Sequence, residues 1–386
     1  MSLIDTTIDH LGRMIAYPTV SADSNLQMIA WLAERLEDAG ARCEVFLDST
    51  GTKGNLFATI GPEDADGGIL LSGHTDVVPV ADQIWSSDPF AMEERIGRFY
   101  GRGTCDMKGF IAACTAVAPL YAGQSGRRPI HFAFTHDEEV GCLGGAALAG
   151  VLRDREIRPA LAIIGEPTEM RIVEGHKGCC EYTTRFTGLE GHGSNPDRGV
   201  NAAEYAVRYV ARLLELRERL KDRAPEGSLF DPPWTTINTG VIHGGHAHNV
   251  IPGYAEVAWE MRPVRWEDAD FVNADLATYC SEVLLPAMRR VNPGAAIETE
   301  VIGEVAGLVP MDENAARDLV AELTGFNGAE TVPFGTEAGL FQALGMSVVV
   351  CGPGAIAQAH KPDEYVELGQ LAQCVDMLER LAPKLA

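Results

Sequence analysis

Two histidines and a set of carboxylates stand at positions in this chain where a divalent cation could be held. His74 and Asp76 follow a short apolar run, Gly68–Ser72. Glu138 and Glu139 come just after another, Ile130–Thr135, and Glu166 after a third, Ala160–Gly165. Asp106 lies in the glycine-rich stretch Gly101-Arg102-Gly103-Thr104-Cys105-Asp106, and His360 follows the apolar run Ser347–Cys351 and a Gly-Pro-Gly turn. Imidazoles and carboxylates together make an N/O donor set that suits zinc, cobalt or manganese better than copper or an iron–sulfur cluster. If Asp106 bridged two ions roughly 3.5–4 Å apart, each could take one histidine and one further carboxylate, with room for an activated water between them. That water could attack an amide carbonyl. Its proton needs a base, which returns it to the leaving amine, and the tandem Glu138-Glu139 offers one ligand and one base. Asp76 is placed to orient His74 through the imidazole's far nitrogen. Singly, each motif also reads as a capped turn, a solvated acidic loop or a core histidine. What joins them is their common place beyond the carboxyl ends of strands in one sheet, where open α/β folds bind ligands.

The elements that must position these residues follow from hydrophobic periodicity. Ile8, Leu11 and Ile15 recur at helical spacing up to Pro18, and Met28, Trp31, Leu32 and Leu36 form a second helix ending at Gly40. Strand-like runs at Cys43–Leu47 and Asn55–Ile60 precede Gly68–Ser72, Ile130–Thr135 and Ala160–Gly165, and helical stretches Gly109–Tyr121 and Gly144–Arg153 lie between the later ones. This alternation predicts an α/β fold in which a mixed sheet is flanked by helices.

From about Glu181 the pattern changes. Strand Glu181–Thr187, a long helix with Ala203, Ala206, Val210, Leu213 and Leu214 on one stripe, strands Thr235–Ile242 and Tyr254–Arg262, a helix near Ala269–Val291 and strand Ala296–Val301 predict a smaller α+β unit. The α/β pattern resumes with helix Ala315–Thr324, strand Ser347–Cys351 and a helix over Leu368–Leu381. The predicted organisation is a sheet domain over 1–180 and 306–386, interrupted by an insertion over 181–305.

A chain of 386 residues exceeds the roughly 250–300 at which one core stops growing, which agrees with two domains. The net charge of −24 argues against nucleic acid or an anionic membrane surface as partner. No apolar run reaches the roughly 18–20 residues of a membrane span, and MSLIDTTIDH has no secretory pattern, so a cytoplasmic protein is expected. Nine scattered cysteines without CxxC spacing read as reduced thiols. A nicotinamide-dependent oxidoreductase is disfavoured by the absence of a GxGxxG turn after the first strand.

At these motifs the chain resembles the M20 family of di-zinc metallopeptidases and deacylases over essentially its whole length. The resemblance rests on Ser72-Gly73-His74-Thr75-Asp76-Val77-Val78-Pro79, Trp85 with Asp88-Pro89-Phe90, Tyr100-Gly101-Arg102-Gly103-Thr104, Asp106-Met107-Lys108-Gly109, Glu138-Glu139 and Gly165-Glu166-Pro167-Thr168. It implies a zinc-peptidase-like catalytic domain with a lid and dimerisation insertion, hence a homodimer. It also implies His74, Asp106 (bridging), Glu139, Glu166 and His360 as ligands of two divalent metal ions, and Glu138 as general base. His192, in Gly191-His192-Gly193-Ser194, matches the family histidine that polarises the scissile carbonyl, often in the partner subunit. Asn249 and Arg262 match positions that hold a substrate carboxylate, and Thr336, in Gly335-Thr336-Glu337-Ala338, is a third substrate-contact candidate. That last motif and Gly175-His176-Lys177-Gly178 are most similar to family members that deacetylate N-acetylornithine, so a small N-acyl amino acid is the expected substrate. Glu337 could face a substrate ammonium or be structural. Desuccinylation of succinyl-diaminopimelate, broad aminoacylase action and dipeptide cleavage are the alternatives with the same chemistry, and a non-catalytic metal-binding relative that keeps the fold is the alternative of another class. Cys105 departs from the small alanine expected beside the bridging aspartate.

Overall fold

The computed structural model describes residues 2–62, 67–124, 126 and 128–386. The chain divides into two compact units, one comprising Met1–Gly175, Leu308–Thr331 and Thr336–Ala386, the other His176–Gly307 and Val332–Gly335. Among the described residues no helix is long and apolar enough to cross a membrane.

The first unit is built on an eight-stranded mixed sheet in the order Arg42–Leu47, Gly54–Ile60, Ile130–Thr135, Ile69–His74, Leu161–Pro167, Ser347–Gly352, Ile172–His176, Ala329–Val332. The four central strands, Ile130–Thr135, Ile69–His74, Leu161–Pro167 and Ser347–Gly352, run parallel. Side chains along the first three are buried on both faces, as parallel strands covered by helices require. The helix Lys108–Ala122 is itself almost wholly buried and packs into the same core as Leu11, Leu32 and Leu378. Gly165 makes one close approach possible, because a Cβ there would lie 1.9 Å from Cγ of Phe110 on that helix. Parallel direction brings the segments after all four strands to one edge.

The second unit is a four-stranded antiparallel sheet ordered Thr236–Gly244, Tyr254–Arg262, Cys179–Thr187, Ala296–Val305. Burial alternates along Cys179–Thr187 and Tyr254–Arg262, so that Tyr182, Phe186, Val257 and Trp259 meet the helices Ala202–Lys221 and Trp266–Tyr279 in a separate core.

Two expectations are corrected here, and two elements are added to them. The buried stripe of Ala202–Lys221 runs through Ala202, Ala206, Tyr209, Leu213, Leu216 and Leu220, and Leu214 is exposed, because that series keeps the i, i+3/i+4 spacing further along the helix. The helix expected near Ala269–Val291 is interrupted by a π-helical turn, Cys280–Leu284, before Leu285–Arg289. Pro286 has no N–H to complete the regular ladder at that point, so the backbone bonds rearrange around it. The strand Ile172–His176 and the short hairpin Glu93–Arg95/Arg98–Tyr100 had no counterpart in the sequence reading.

Candidate metal centre

Each chemical residue at the shared sheet edge is placed by a strand end or a tight loop. His74 ends its own strand. Glu138 and Glu139 follow Ile130–Thr135 through His136 and Asp137, the latter at φ 55. Glu166 sits within the end of Leu161–Pro167, and Asp106 precedes the helix Lys108–Ala122. His360, at φ 61, lies beyond Ser347–Gly352. Two residues with side chains thus hold left-handed backbone conformations beside this cluster, a form of strain concentrated at functional sites.

The side chains converge. His74 Nε2 is 3.0 Å from Asp106 Oδ1, and His360 Nε2 is 3.2 Å from Asp106 Oδ2, so one carboxylate presents a different oxygen to each imidazole. His360 Nε2 is also 3.0 Å from Glu139 Oε2, and His74 Nε2 is 3.8 Å from Glu166 Oε1. Ligand atoms of His74, Asp106 and Glu139 lie within 4.8 Å of one another, as do those of His74, Glu138 and Glu166. His74 is buried, whereas the His360 side chain is 53% exposed, so the cluster opens to solvent on the His360 side.

The electrostatics are those of acids crowded out of water. Burial pushes Glu138 up to about 8; Glu139, Asp106 and Asp76 add to the rise and His74 opposes it. Glu166 and Glu139 are also raised, by burial first and by neighbouring carboxylates next. Asp106 is held low despite its burial, because His360 and His74 both hydrogen-bond to it. Burial disfavours charge on His74, yet the surrounding carboxylates raise it well above the ordinary imidazole value. Glu166 Oε1 is buried with no hydrogen-bond partner and faces this cluster. An orphaned carboxylate oxygen among mutually repelling acids and two imidazoles fits divalent cations, which would satisfy that oxygen and relieve the repulsion. His74, Asp106, Glu139, Glu166 and His360 could hold such ions, with Glu138 close beside them.

Asp76 meets the far nitrogen of His74 chiefly through its backbone. The far nitrogen of His74, Nδ1, donates to the backbone carbonyl of Asp76 at 2.9 Å, while the Asp76 carboxylate stands 3.6 Å away. That carboxylate instead accepts the backbone N–H groups of Glu138 and Glu139 at 3.1 and 3.3 Å and the Ser21 hydroxyl at 2.6 Å. Glu337 is buried and accepts from Ser72 Oγ at 2.5 Å and Thr135 Oγ1 at 2.9 Å, joining the two strands that carry His74 and the glutamate pair. Thr336 is buried too, and its hydroxyl accepts the Ala338 backbone N–H at 3.0 Å. The Cys105 thiol points at the Ala355 carbonyl, 3.3 Å away, and burial raises its pKa well above the ordinary value, so it remains a neutral thiol.

In the second unit, His192 is exposed, and its Nδ1 lies 3.2 Å from the Ser194 backbone nitrogen and 2.8 Å from Ser194 Oγ. A backbone N–H can only donate, so Nδ1 is the acceptor and the neutral ring carries its proton on Nε2. Asn249 is exposed, and its carbonyl accepts from Gly193 N at 2.7 Å, beside the short pairing of Gly191–His192 with Val250–Ile251. The structure therefore brings His192 and Asn249 onto neighbouring backbone. Arg262 is half-buried, with its guanidinium 2.6 Å from Glu260 Oε2.

Known proteins resemble this chain over most of its length. Residues 70–384 match the model of peptidase family M20/M25/M40. The acetylornithine deacetylase of Photorhabdus laumondii subsp. laumondii is 35% identical over 381 residues, 97% of this chain and 96% of that protein. The M20 family metallo-carboxypeptidase Sso-CP2 of Sulfolobus solfataricus shares the fold with a TM-score of 0.75 at 17% identity, over 98% of this chain and 99% of that one. The Bacillus subtilis YXEP protein, described as a dinuclear metal binding peptidase of the M20 family, gives a TM-score of 0.64 at 17% identity, over 99% and 98% of the two chains. With a family match over most of its length and a curated relative at that identity, the chain belongs to peptidase family M20/M25/M40 and is a metal amidohydrolase.

Proposed function

We propose that this enzyme hydrolyses the amide of a small N-acyl amino acid, N-acetylornithine first among them, releasing acetate and ornithine. The observation that carries the reading is the division of Asp106 between His74 and His360, one carboxylate oxygen to each. The acetylornithine deacetylase relative supports the substrate.

In this reading His74, Asp106 and Glu166 would hold one divalent ion, and Asp106, Glu139 and His360 would hold the other. Zinc is the leading candidate, with cobalt and manganese compatible with the same donors. When bound, the pair supplies Lewis-acid activation of water near neutral pH. Glu138, half-buried beside these ligands, takes the water's proton as the carboxylate and delivers it to the leaving nitrogen. Asp76 fixes the backbone from which Glu138 and Glu139 project. His192, with its proton on Nε2, donates to the carbonyl oxygen as negative charge develops there, from the same chain or from a partner copy. Asn249 and Arg262 hold the substrate carboxylate, a bidentate task suited to a guanidinium, and Thr336 contributes to the substrate pocket. The second unit serves as lid and dimerisation domain of a cytoplasmic homodimer. Its edge strand Thr236–Gly244 exposes Val241 and Ile242, which supports pairing with a second copy.

The test is acetate release from N-acetylornithine by chelator-stripped protein restored with zinc or cobalt, beside succinyl-diaminopimelate, other N-acyl amino acids and dipeptides. Preferential metal-dependent cleavage of N-acetylornithine supports the assignment. Preference for another member discards it while keeping the chemistry, and no cleavage of any substrate favours the non-catalytic alternative.

A further inference from the structure

Glu364, shortly beyond His360, is fully buried, and its two carboxylate oxygens have separate duties. Oε1 accepts the backbone N–H groups of Gly103, Cys105 and Asp106 at 3.0, 2.9 and 3.1 Å, folding the Asp106 loop around a single atom. Oε2 accepts Arg102 Nη1 at 2.6 Å. A carboxylate can take four donors without presenting a competing hydrogen, which an amide side chain cannot do.

Arg102 carries the connection onward. It is buried and stacked over Trp85; its Nη2 donates to Gln83 Oε1 at 2.6 Å and its Nη1 to the Lys361 carbonyl at 3.3 Å. Gln83 Nε2 in turn donates to the His360 carbonyl at 2.9 Å. His360 and Asp363 hold left-handed backbone conformations, at φ 61 and 55, which need outside support to persist. The Ser86 backbone N–H and hydroxyl supply part of it by donating to Asp363 Oδ1 at 2.8 and 2.9 Å.

We infer that Glu364, Arg102 and Gln83 form one positioning device that sets Asp106 against His360 and thereby controls occupancy of the ion position those two residues share with Glu139. The inference rests on the two-ion reading above. None of the three side chains is a ligand in that reading. Partners that orient metal ligands typically contribute about 10- to 100-fold to metal affinity, and this device holds the backbone of both Asp106 and the half-exposed His360.

The experiment is calorimetric titration of chelator-stripped full-length protein with zinc, comparing the natural chain with Gln83→Ala and Glu364→Gln. The natural chain takes up two ions. Gln83→Ala holds the first with unchanged affinity and the second about tenfold more weakly, and the stripped protein still unfolds in one cooperative transition; excess zinc restores kcat without altering KM. Glu364→Gln weakens the second ion further, by up to about 100-fold. If Glu364→Gln does not fold, Gln83→Ala alone decides. Two ions bound with natural affinity in Gln83→Ala, or equal weakening of both, overturns the inference while leaving the two-ion reading intact. A natural chain that binds fewer than two ions overturns both.

Discussion

The backbone N–H of Glu138 donates to Asp76 Oδ1 at 3.1 Å, which ties the proposed general base to the segment that follows the His74 strand. The other oxygen takes the Glu139 N–H and the Ser21 hydroxyl. Asp76→Asn replaces one acceptor oxygen by an N–H2 that cannot receive these donors. Turnover is expected to fall about 10- to 100-fold while the folded content by circular dichroism is kept. Unchanged steady-state kinetics in the zinc-restored variant would remove Asp76 from the account.

Glu138→Gln keeps the shape of the side chain and removes its basicity. Turnover is expected to fall about 10²–10⁴-fold, with two metal ions per chain still present by elemental analysis. The ligand atoms of Glu138, His74 and Glu166 are close enough together to hold an ion, so loss of metal in this variant would make Glu138 a ligand instead of the base.

His192→Ala is expected to lower turnover about 10²–10³-fold, the usual cost of losing one donor to a developing oxyanion. Metal content and melting midpoint should not change, because His192 is exposed and its ring bonds only locally. Full activity in this variant would end the proposed role. Sedimentation equilibrium, run alongside, tests the homodimer, and a monomer mass at assay concentration would exclude a contribution from the partner subunit.

His131 provides a pH-dependent stability test away from the metal centre. Burial in the sheet, assisted by Arg42, lowers it from 6.5 to about 4, and Thr59 Oγ1 bonds its Nδ1 at 2.9 Å. Between those values the unfolded chain binds a proton that the folded chain refuses, so stability present above pH 6.5 is lost as pH falls toward 4. At about 1.4 kcal/mol per pH unit, the loss attributable to His131 is on the order of 3 kcal/mol. His131→Gln should flatten that part of the profile, measured as the difference in denaturant midpoint from the natural chain at pH 7 and pH 4.5. Parallel profiles would show that His131 ionises freely in the folded protein.

The sheet strands and the residues just past them were legible in the sequence because fully buried parallel strands form short apolar runs, and His74, Glu138, Glu139 and Glu166 adjoin those runs directly. Glu364 escaped notice for a physical reason: its partners are mostly backbone N–H groups and the buried Arg102, which leave no signature in residue type or spacing. The carboxylate role of Asp76 was hidden in the same way. Its proximity to His74 in sequence suggested the imidazole as partner, whereas the strand geometry gives the imidazole the backbone carbonyl. The π-helical turn before Pro286 was missed because apolar periodicity continues across the proline even though the hydrogen-bond ladder does not.

Anomalous diffraction at the zinc edge from crystals of the zinc-loaded protein tests the central claim most directly. The account predicts two peaks flanking Asp106, roughly 3.5–4 Å apart, one against His74 and Glu166 and the other against His360 and Glu139. A single peak, or two peaks that do not share Asp106, would contradict it.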